Sequence, residues 1–287
     1  MDSEKVIKRD SEYVLHTYNR NPIVLEKGHG LYAEGPEGQK YLDFTSGIGV
    51  NSLGYCYVDW AEAVAEQAHK LQHTSNLYYT APCGKLAKKL CKRTGMSKVF
   101  FGNSGAEANE GAIKVARRWG EVKLDGSAGI VSAHKSFHGR TLATLAATGQ
   151  DVFHKSFQPL PAGFASVDLN DIDALRDAVE NPAPSCGPVC AVMLECVQGE
   201  GGVWPATYDY LRAVSDLCHE KGILLVIDEV QTGFFRCGAP FSFQRAGIEP
   251  DVVSMAKGIA DGFPMGAVAA RAEVADLMRP GDHGSTF

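Results

Sequence analysis

The chain has 287 residues, 22% of them charged, and a formal net charge of −6. It carries no basic stripe or Lys/Arg-rich block, so neither nucleic acid nor an anionic membrane surface is an expected partner. No apolar run reaches the ~18–20 residues that a bilayer span requires, and the length suits one large α/β domain with small attachments.

The opening Met1-Asp2-Ser3-Glu4-Lys5 is polar and mixed in charge, unlike a secretory leader or an Arg-rich transit peptide. The eight cysteines form no Cys-x-x-Cys pair. In a chain of this length they read as reduced, mostly buried thiols of a cytoplasmic protein. His69 and His73, like His134 and His138, are spaced for one helix face. Neither pair has a Glu beside its first His or a nearby third ligand, so no metal site is expected.

Residues 11–45 hold short apolar runs split by turns such as Gly35-Pro36-Glu37-Gly38, which predicts a small hairpin or meander. Gly28-x-Gly30-x-x-Ala33 matches a dinucleotide-binding fingerprint only superficially, because no helical pattern follows it. From about residue 58 the pattern alternates. Trp60, Val64, Ala68 and Leu71 give a helical face over Val58–His73. Ser97–Phe101 reads as a strand, Ala106–Trp119 as a helix, Gly129–Ser132 and Cys190–Leu194 as strands. Thr207–Lys221 reads as a helix capped by Thr207 and stopped by Gly222. Two further strands end at Asp228 and near Met255. Alternation of this kind predicts a largely parallel sheet covered by helices.

Ligands in such sheets bind outside the C-terminal strand ends. The run Ile223–Ile227 delivers Asp228 there, and Asp251–Met255 delivers Lys257, 29 residues further on. An aspartate able to hold a pyridinium nitrogen and a lysine able to form a Schiff base are what pyridoxal phosphate (PLP) chemistry asks of a protein. Gly102-Asn103-Ser104-Gly105-Ala106-Glu107 joins a strand to a helix, with Ser104 and Glu107 at capping-box spacing. Its free N–H groups suit an anion, and Gly105 lets a phosphate come close to the backbone. In Ser136-Phe137-His138-Gly139-Arg140-Thr141, Phe137 can stack on a ring and Arg140 can grip a carboxylate through two parallel hydrogen bonds. Glu195 and Glu200 follow the strand Cys190–Leu194 as a general acid, charge partner or gate.

Taken in order, Asn103–Asn109, Phe137–Thr141, Gln198-Gly199-Glu200-Gly201-Gly202, Asp228-Glu229-Val230-Gln231-Thr232-Gly233, Ala256-Lys257-Gly258 and Gly284–Phe287 resemble the class III (subgroup II) PLP-dependent aminotransferases of fold type I. Leu42–Asn51 and Ser75–Tyr79 are most similar to the acetylornithine aminotransferase branch. The resemblance implies a mostly parallel seven-stranded sheet flanked by helices. Residues 1–57 would belong to a small domain and interface, and 58–287 to the PLP-binding large domain. It implies that most of a C-terminal small domain is absent from this chain, since family members continue well past Phe287.

Roles follow from the same resemblance. Lys257 is the Schiff-base lysine and proton shuttle. Asp228 partners the pyridine nitrogen, Val230 and Phe137 cover the two ring faces, and Gln231 bonds the phenolic oxygen. Gly105, Ala106 and Ser104 hold the phosphate. Thr286 reaches the phosphate of the neighbouring subunit in a homodimer, with Ser285 beside the substrate. Arg140 clamps the substrate carboxylate, and Glu200 pairs with an arginine from the absent part. The implied reaction moves the ω-amino group of N-acetylornithine to 2-oxoglutarate, as in arginine biosynthesis. Related ω-aminotransferases of ornithine, succinylornithine or 4-aminobutyrate, or an inactive fragment of such an enzyme, are the alternatives. Cys196 stands where the family usually has proline.

Overall fold

The computed structural model describes residues 2–287, which divide into two compact units at Thr74/Ser75. The first unit opens on helix α1 (Ser3–Tyr13), whose N-cap Asp2 accepts hydrogen bonds from the Glu4 and Lys5 N–H groups. Strands β1 (Lys27–His29), β2 (Tyr32–Glu34) and β3 (Lys40–Leu42) then form an antiparallel sheet, the expected meander. A four-residue turn, α2 (Ser46–Gly49), with left-handed backbone at Gly47 and Ile48, and helix α3 (Val58–Lys70) complete the unit. The Gly28–Ala33 stretch lies within the β1–β2 hairpin, as a turn between strands should.

The second unit begins with α4 (Ala81–Thr94), closed by Gly95 in the left-handed conformation. It continues as β4 (Lys98–Gly102), α5 (Gly105–Lys123), β5 (Gly129–Ala133), α6 (Leu142–Ala147), β6 (Phe164–Val167), α7 (Ile172–Glu180) and β7 (Val189–Leu194). The two-stranded ribbon β8–β9 (Val197–Gln198, Trp204–Pro205) leads to α8 (Tyr208–Lys221). Then come β10 (Leu224–Asp228), α9 (Phe243–Ala246), β11 (Val252–Met255), β12 (Gly266–Ala270) and α10 (Ala272–Ala275). Thr207 caps α8 through the Tyr210 N–H, and Gly222 ends it at φ 66°, both as expected.

Seven of these strands form one sheet in the order β4-β12-β11-β10-β7-β5-β6. All are parallel except β12, which runs antiparallel between β4 and β11. Strand alternation sends side chains to two separate cores. Leu225, Ile227, Val253 and Met255 join Leu211, Val214 and Leu217 of α8 on one face. Leu224, Val226 and Val252 join Ala112, Ala116 and Trp119 of α5 on the other. Both faces of β7, β10, β11 and β12 are therefore buried, which explains their unbroken apolar runs.

The consequence for function lies in direction. Strands β4, β5, β7, β10 and β11 run the same way, so their C-terminal ends open on one edge of the sheet. The segments leaving those ends carry Ser104, Phe137, Glu195, Asp228 and Lys257.

Candidate active site

Asp228 ends β10 and is 2% exposed. A carboxylate so buried must be compensated by donors. Its Oδ2 accepts from Asn109 Nδ2 at 2.7 Å and from His138 Nδ1 at 2.8 Å, and its Oδ1 accepts from the Val230 N–H at 2.9 Å. Asn109 sits one turn inside α5 and its other amide hydrogen goes to the His138 carbonyl at 2.7 Å. Burial works against charging His138. The hydrogen bond and charge of Asp228, with Glu195 adding, outweigh it and raise the imidazole above its ordinary pKa.

His138 is itself held from several directions. Its N–H donates to Thr148 Oγ1 at 2.9 Å, and that hydroxyl donates to the Thr144 carbonyl at 2.9 Å. The next residue, Gly139, has φ 139°, and a Cβ there would lie 2.5 Å from Thr144 Oγ1. Only glycine lets this loop lie so close to α6.

The start of α5 is capped as the spacing predicts. Ser104 Oγ accepts from the Glu107 N–H at 3.1 Å. The return bond from the Glu107 carboxylate goes to the Asn103 N–H at 2.9 Å, one residue earlier than in the standard capping box. Among the described residues the N–H groups of Gly105 and Ala106 have no acceptor. Gly105 has a second reason to be glycine, since a Cβ there would lie 2.7 Å from Val230 Cγ1. Ser285 meets the same corner through Asn103 Nδ2, which donates to its Oγ at 3.1 Å. Thr286 is exposed and makes no hydrogen bond among the described residues.

Lys257 begins a short 3-10 turn at φ 48°, an uncommon conformation for a non-glycine residue and one often stored at functional sites. Its Nζ donates to Gln231 Oε1. Burial lowers its pKa against the opposing charges of Asp228, Glu195 and Glu200, so the amine is more readily neutral and nucleophilic. Phe137 is half-buried, with its ring edge-on to Phe153 at 6.1 Å. The exposed Arg140 lies 4.0 Å over the Phe153 ring and 5.5 Å over that of Phe137. No carboxylate pairs with Arg140 among the described residues, so its donor fork is available.

Glu195, 5% exposed, accepts from the Phe137 N–H at 3.0 Å and so ties the end of β7 to the Phe137 loop. Glu200 accepts from Gln150 Nε2 at 2.6 Å. Sequence reasoning gave no role to His138, Asn109, Glu229 or Gln150. Glu229 is fully buried and accepts from Thr232 Oγ1 at 2.6 Å, Ser242 Oγ at 2.6 Å and the Phe243 N–H at 2.9 Å, fixing the loop that carries Gln231. A His inside the Phe-His-Gly-Arg motif was the one visible hint of the first of these.

A strand-end acid, a strand-end lysine and a helix start with open N–H groups thus leave the same edge of the sheet. The comparisons agree. The class-III aminotransferase family model matches residues 13–287. The chain is 50% identical, over 100% of its length and 72% of the relative's, to the acetylornithine aminotransferase of Haemophilus ducreyi. It is 48% identical to that of Methanocaldococcus jannaschii, over 100% of this chain and 71% of the relative. Its structure matches the ornithine aminotransferase of Toxoplasma gondii with a TM-score of 0.94 at 32% identity, covering 100% of this chain and 68% of that one. The chain belongs to the class-III aminotransferases, which are PLP-dependent.

The Glu195 carboxyl is pushed up to about 7, by burial first and by the charge of Asp228, with His138 and the N–H groups of Phe137 and Gly199 opposing. Between 4.5 and about 7 the folded chain thus holds a proton that the unfolded chain has released. Stability must fall as pH rises through that window, with a slope of up to about 1.4 kcal/mol per pH unit. Glu195→Gln keeps the acceptor for the Phe137 N–H and removes the titration. Urea midpoints of the variant should therefore fall less steeply than those of the parent across this window; parallel pH profiles would contradict the assignment.

Proposed function

We propose that this chain carries the aminotransferase site that takes the ω-amino group of N-acetylornithine and passes it to 2-oxoglutarate, giving N-acetylglutamate semialdehyde and glutamate. The observation that carries this reading is the approach of Asp228, Lys257, Gln231 and the α5 start at one sheet edge, in a chain about half identical to acetylornithine aminotransferases along its whole length. Arginine biosynthesis is the setting that fits acetylornithine aminotransferase activity.

The residues present suit the cofactor. Asp228 has an acceptor position to spare for the ring nitrogen. The open N–H groups of Gly105 and Ala106, with Ser104, suit its phosphate. When bound, PLP supplies an electron sink that stabilises negative charge at the substrate carbon. Lys257 would hold the cofactor through its amine and would serve as the proton-transferring group at the substrate carbon. Gln231, which accepts from the Lys257 amine, would be a further polar partner of the cofactor. Val230 and Phe137 would supply apolar contact to it and exclude water. Arg140, steadied by two aromatic rings, orients the donor by its carboxylate. Ser285 and Glu200 border the substrate.

The assembly we favour is a homodimer in the cytoplasm, with Thr286 extending to the partner's phosphate site. Its support is the free Thr286 and the exposed run Leu77, Tyr78 and Tyr79, at 85%, 72% and 106%. Apolar surface of that kind marks an interface more often than a solvent face. No described helix is long and apolar enough to cross a membrane. Residues 1–57 are then the part of the chain given to the small domain and interface, and 58–287 the cofactor-binding part.

Borohydride reduction of the PLP-loaded protein, followed by peptide mass spectrometry, should place the pyridoxyl group on Lys257; labelling of Lys135 or Lys155 instead would overturn the anchor. Arg140→Lys keeps the charge and loses the two-pronged bond, worth about 1.5–3 kcal/mol for a charged pair. Single half-reactions should show N-acetylornithine losing at least tenfold more than a simple amine without a carboxylate. Equal losses for both donors would make Arg140 structural.

A further inference from the structure

We infer that His138 and Asn109 are positioning residues that act through Asp228: together they occupy its Oδ2, so that Oδ1 is the atom left to receive the ring N–H of the cofactor. The inference rests on the reading of Asp228 as the partner of the pyridine nitrogen and adds how this chain aims that carboxylate.

The argument is one of acceptor capacity. An ionised carboxylate has about four lone-pair positions. Oδ2 takes Asn109 Nδ2 at 2.7 Å and His138 Nδ1 at 2.8 Å, and Oδ1 takes the Val230 N–H at 2.9 Å. Three positions are used, and the fourth is on Oδ1. Val230, whose N–H takes the first position on Oδ1, packs its side chain against Gly105 at the head of α5.

Both donors are fixed before any ligand arrives. Asn109 is 1% exposed and spends both amide hydrogens on this corner, one on the His138 carbonyl and one on Asp228. His138 is 1% exposed, and its backbone is held by Asn109 and Thr148. Because a carboxylate only accepts, Nδ1 must carry the hydrogen of the His138–Asp228 bond. The bond therefore sets which ring nitrogen of His138 faces the carboxylate, and with Asn109 it fixes the orientation of Asp228. An Asp228 freed from these two donors would keep only the Val230 N–H and would be free to turn away. Turning away removes the acceptor from the ring nitrogen.

A residue that matters only for folding would cost cofactor binding whatever stands at 228. One that acts through Asp228 would not. The test is a double-mutant cycle on the PLP dissociation constant, measured by fluorescence titration of the metal-free apo-protein, with His138→Phe and Asp228→Asn. His138→Gln, which restores a donor toward Oδ2, is the conservative control, and Asn109→Ala is a second entry into the same network. The expected result is a loss of about tenfold or more in PLP affinity for His138→Phe in the parent. The loss should be largely recovered by Gln and should shrink to within about twofold in the Asp228→Asn background. Asn109→Ala should repeat the pattern. Equal losses for His138→Phe with Asp and with Asn at position 228, or no recovery by Gln in a variant that melts like the parent, would overturn the inference. If Asp228→Asn alone leaves affinity and bound-cofactor absorbance unchanged, the reading of Asp228 fails first and this inference with it. Should His138→Phe not fold, Asn109→Ala decides the same comparison.

Discussion

A buried negative charge at the end of β10 sets the terms for the rest of this site. Asp228 is nearly inaccessible, and an unpaired ion there would cost several kcal/mol. Its donors come from three places far apart in sequence: α5, the loop after β5, and its own strand end. Meeting that demand draws α5 and the Phe137–Arg140 loop onto the sheet edge. Once they are there, the helix start, the aromatic ring and the guanidinium come with them. The carboxylate thus organises this sheet edge as well as the chemistry proposed for it.

The glycines of the neighbourhood serve the same convergence. Val230 can lie on the head of α5 only because position 105 has no Cβ, and the His138 loop can lie on α6 only because position 139 has none. Glu229, beside Asp228, is directed the other way. It takes donors from Thr232, Ser242 and Phe243 and so anchors the turn that presents Val230 and Gln231. Adjacent acids on one strand end thereby do different work, one facing the site and one fastening its wall. Burial raises the pKa of Glu229 even with three donors, which is the expected cost of taking a carboxyl out of water.

Much of this was legible in the sequence, and the reasons for the gaps are physical. Strands buried on both faces announce themselves as apolar runs, so β7, β10 and β11 were found within a residue of their ends. Helix α8 carried its own start and stop in Thr207 and Gly222. The small, alanine-rich β12 has no β-branched signature except Val268, and it enters the sheet antiparallel between strands distant in sequence. It was missed, as were α4, β6 and α7. Helix α5 runs to Lys123, past the expected end at Trp119; Gly120 is buried, whereas Glu121, Val122 and Lys123 form an exposed last turn without an apolar face to announce it. Within the site, Lys257 meets Gln231 and Asn103 meets Ser285, each pair drawn from different motifs. His138 and Asn109 were not assigned, because their purpose is a bond to a residue 90 and 119 positions away. The Gln150–Glu200 bond spans 50 residues and escaped for the same reason.

The role proposed for Asp228 is to keep the ring nitrogen of the cofactor protonated from a buried strand end. The most direct measurement is the nitrogen-15 chemical shift of PLP labelled at its pyridine nitrogen and bound to the protein, followed against pH. The account predicts a shift that stays at the protonated position through the range in which the free cofactor titrates, and that moves to the unprotonated position in Asp228→Asn. A nitrogen that titrates on the protein as it does in solution, or that remains protonated with Asn at position 228, would contradict it.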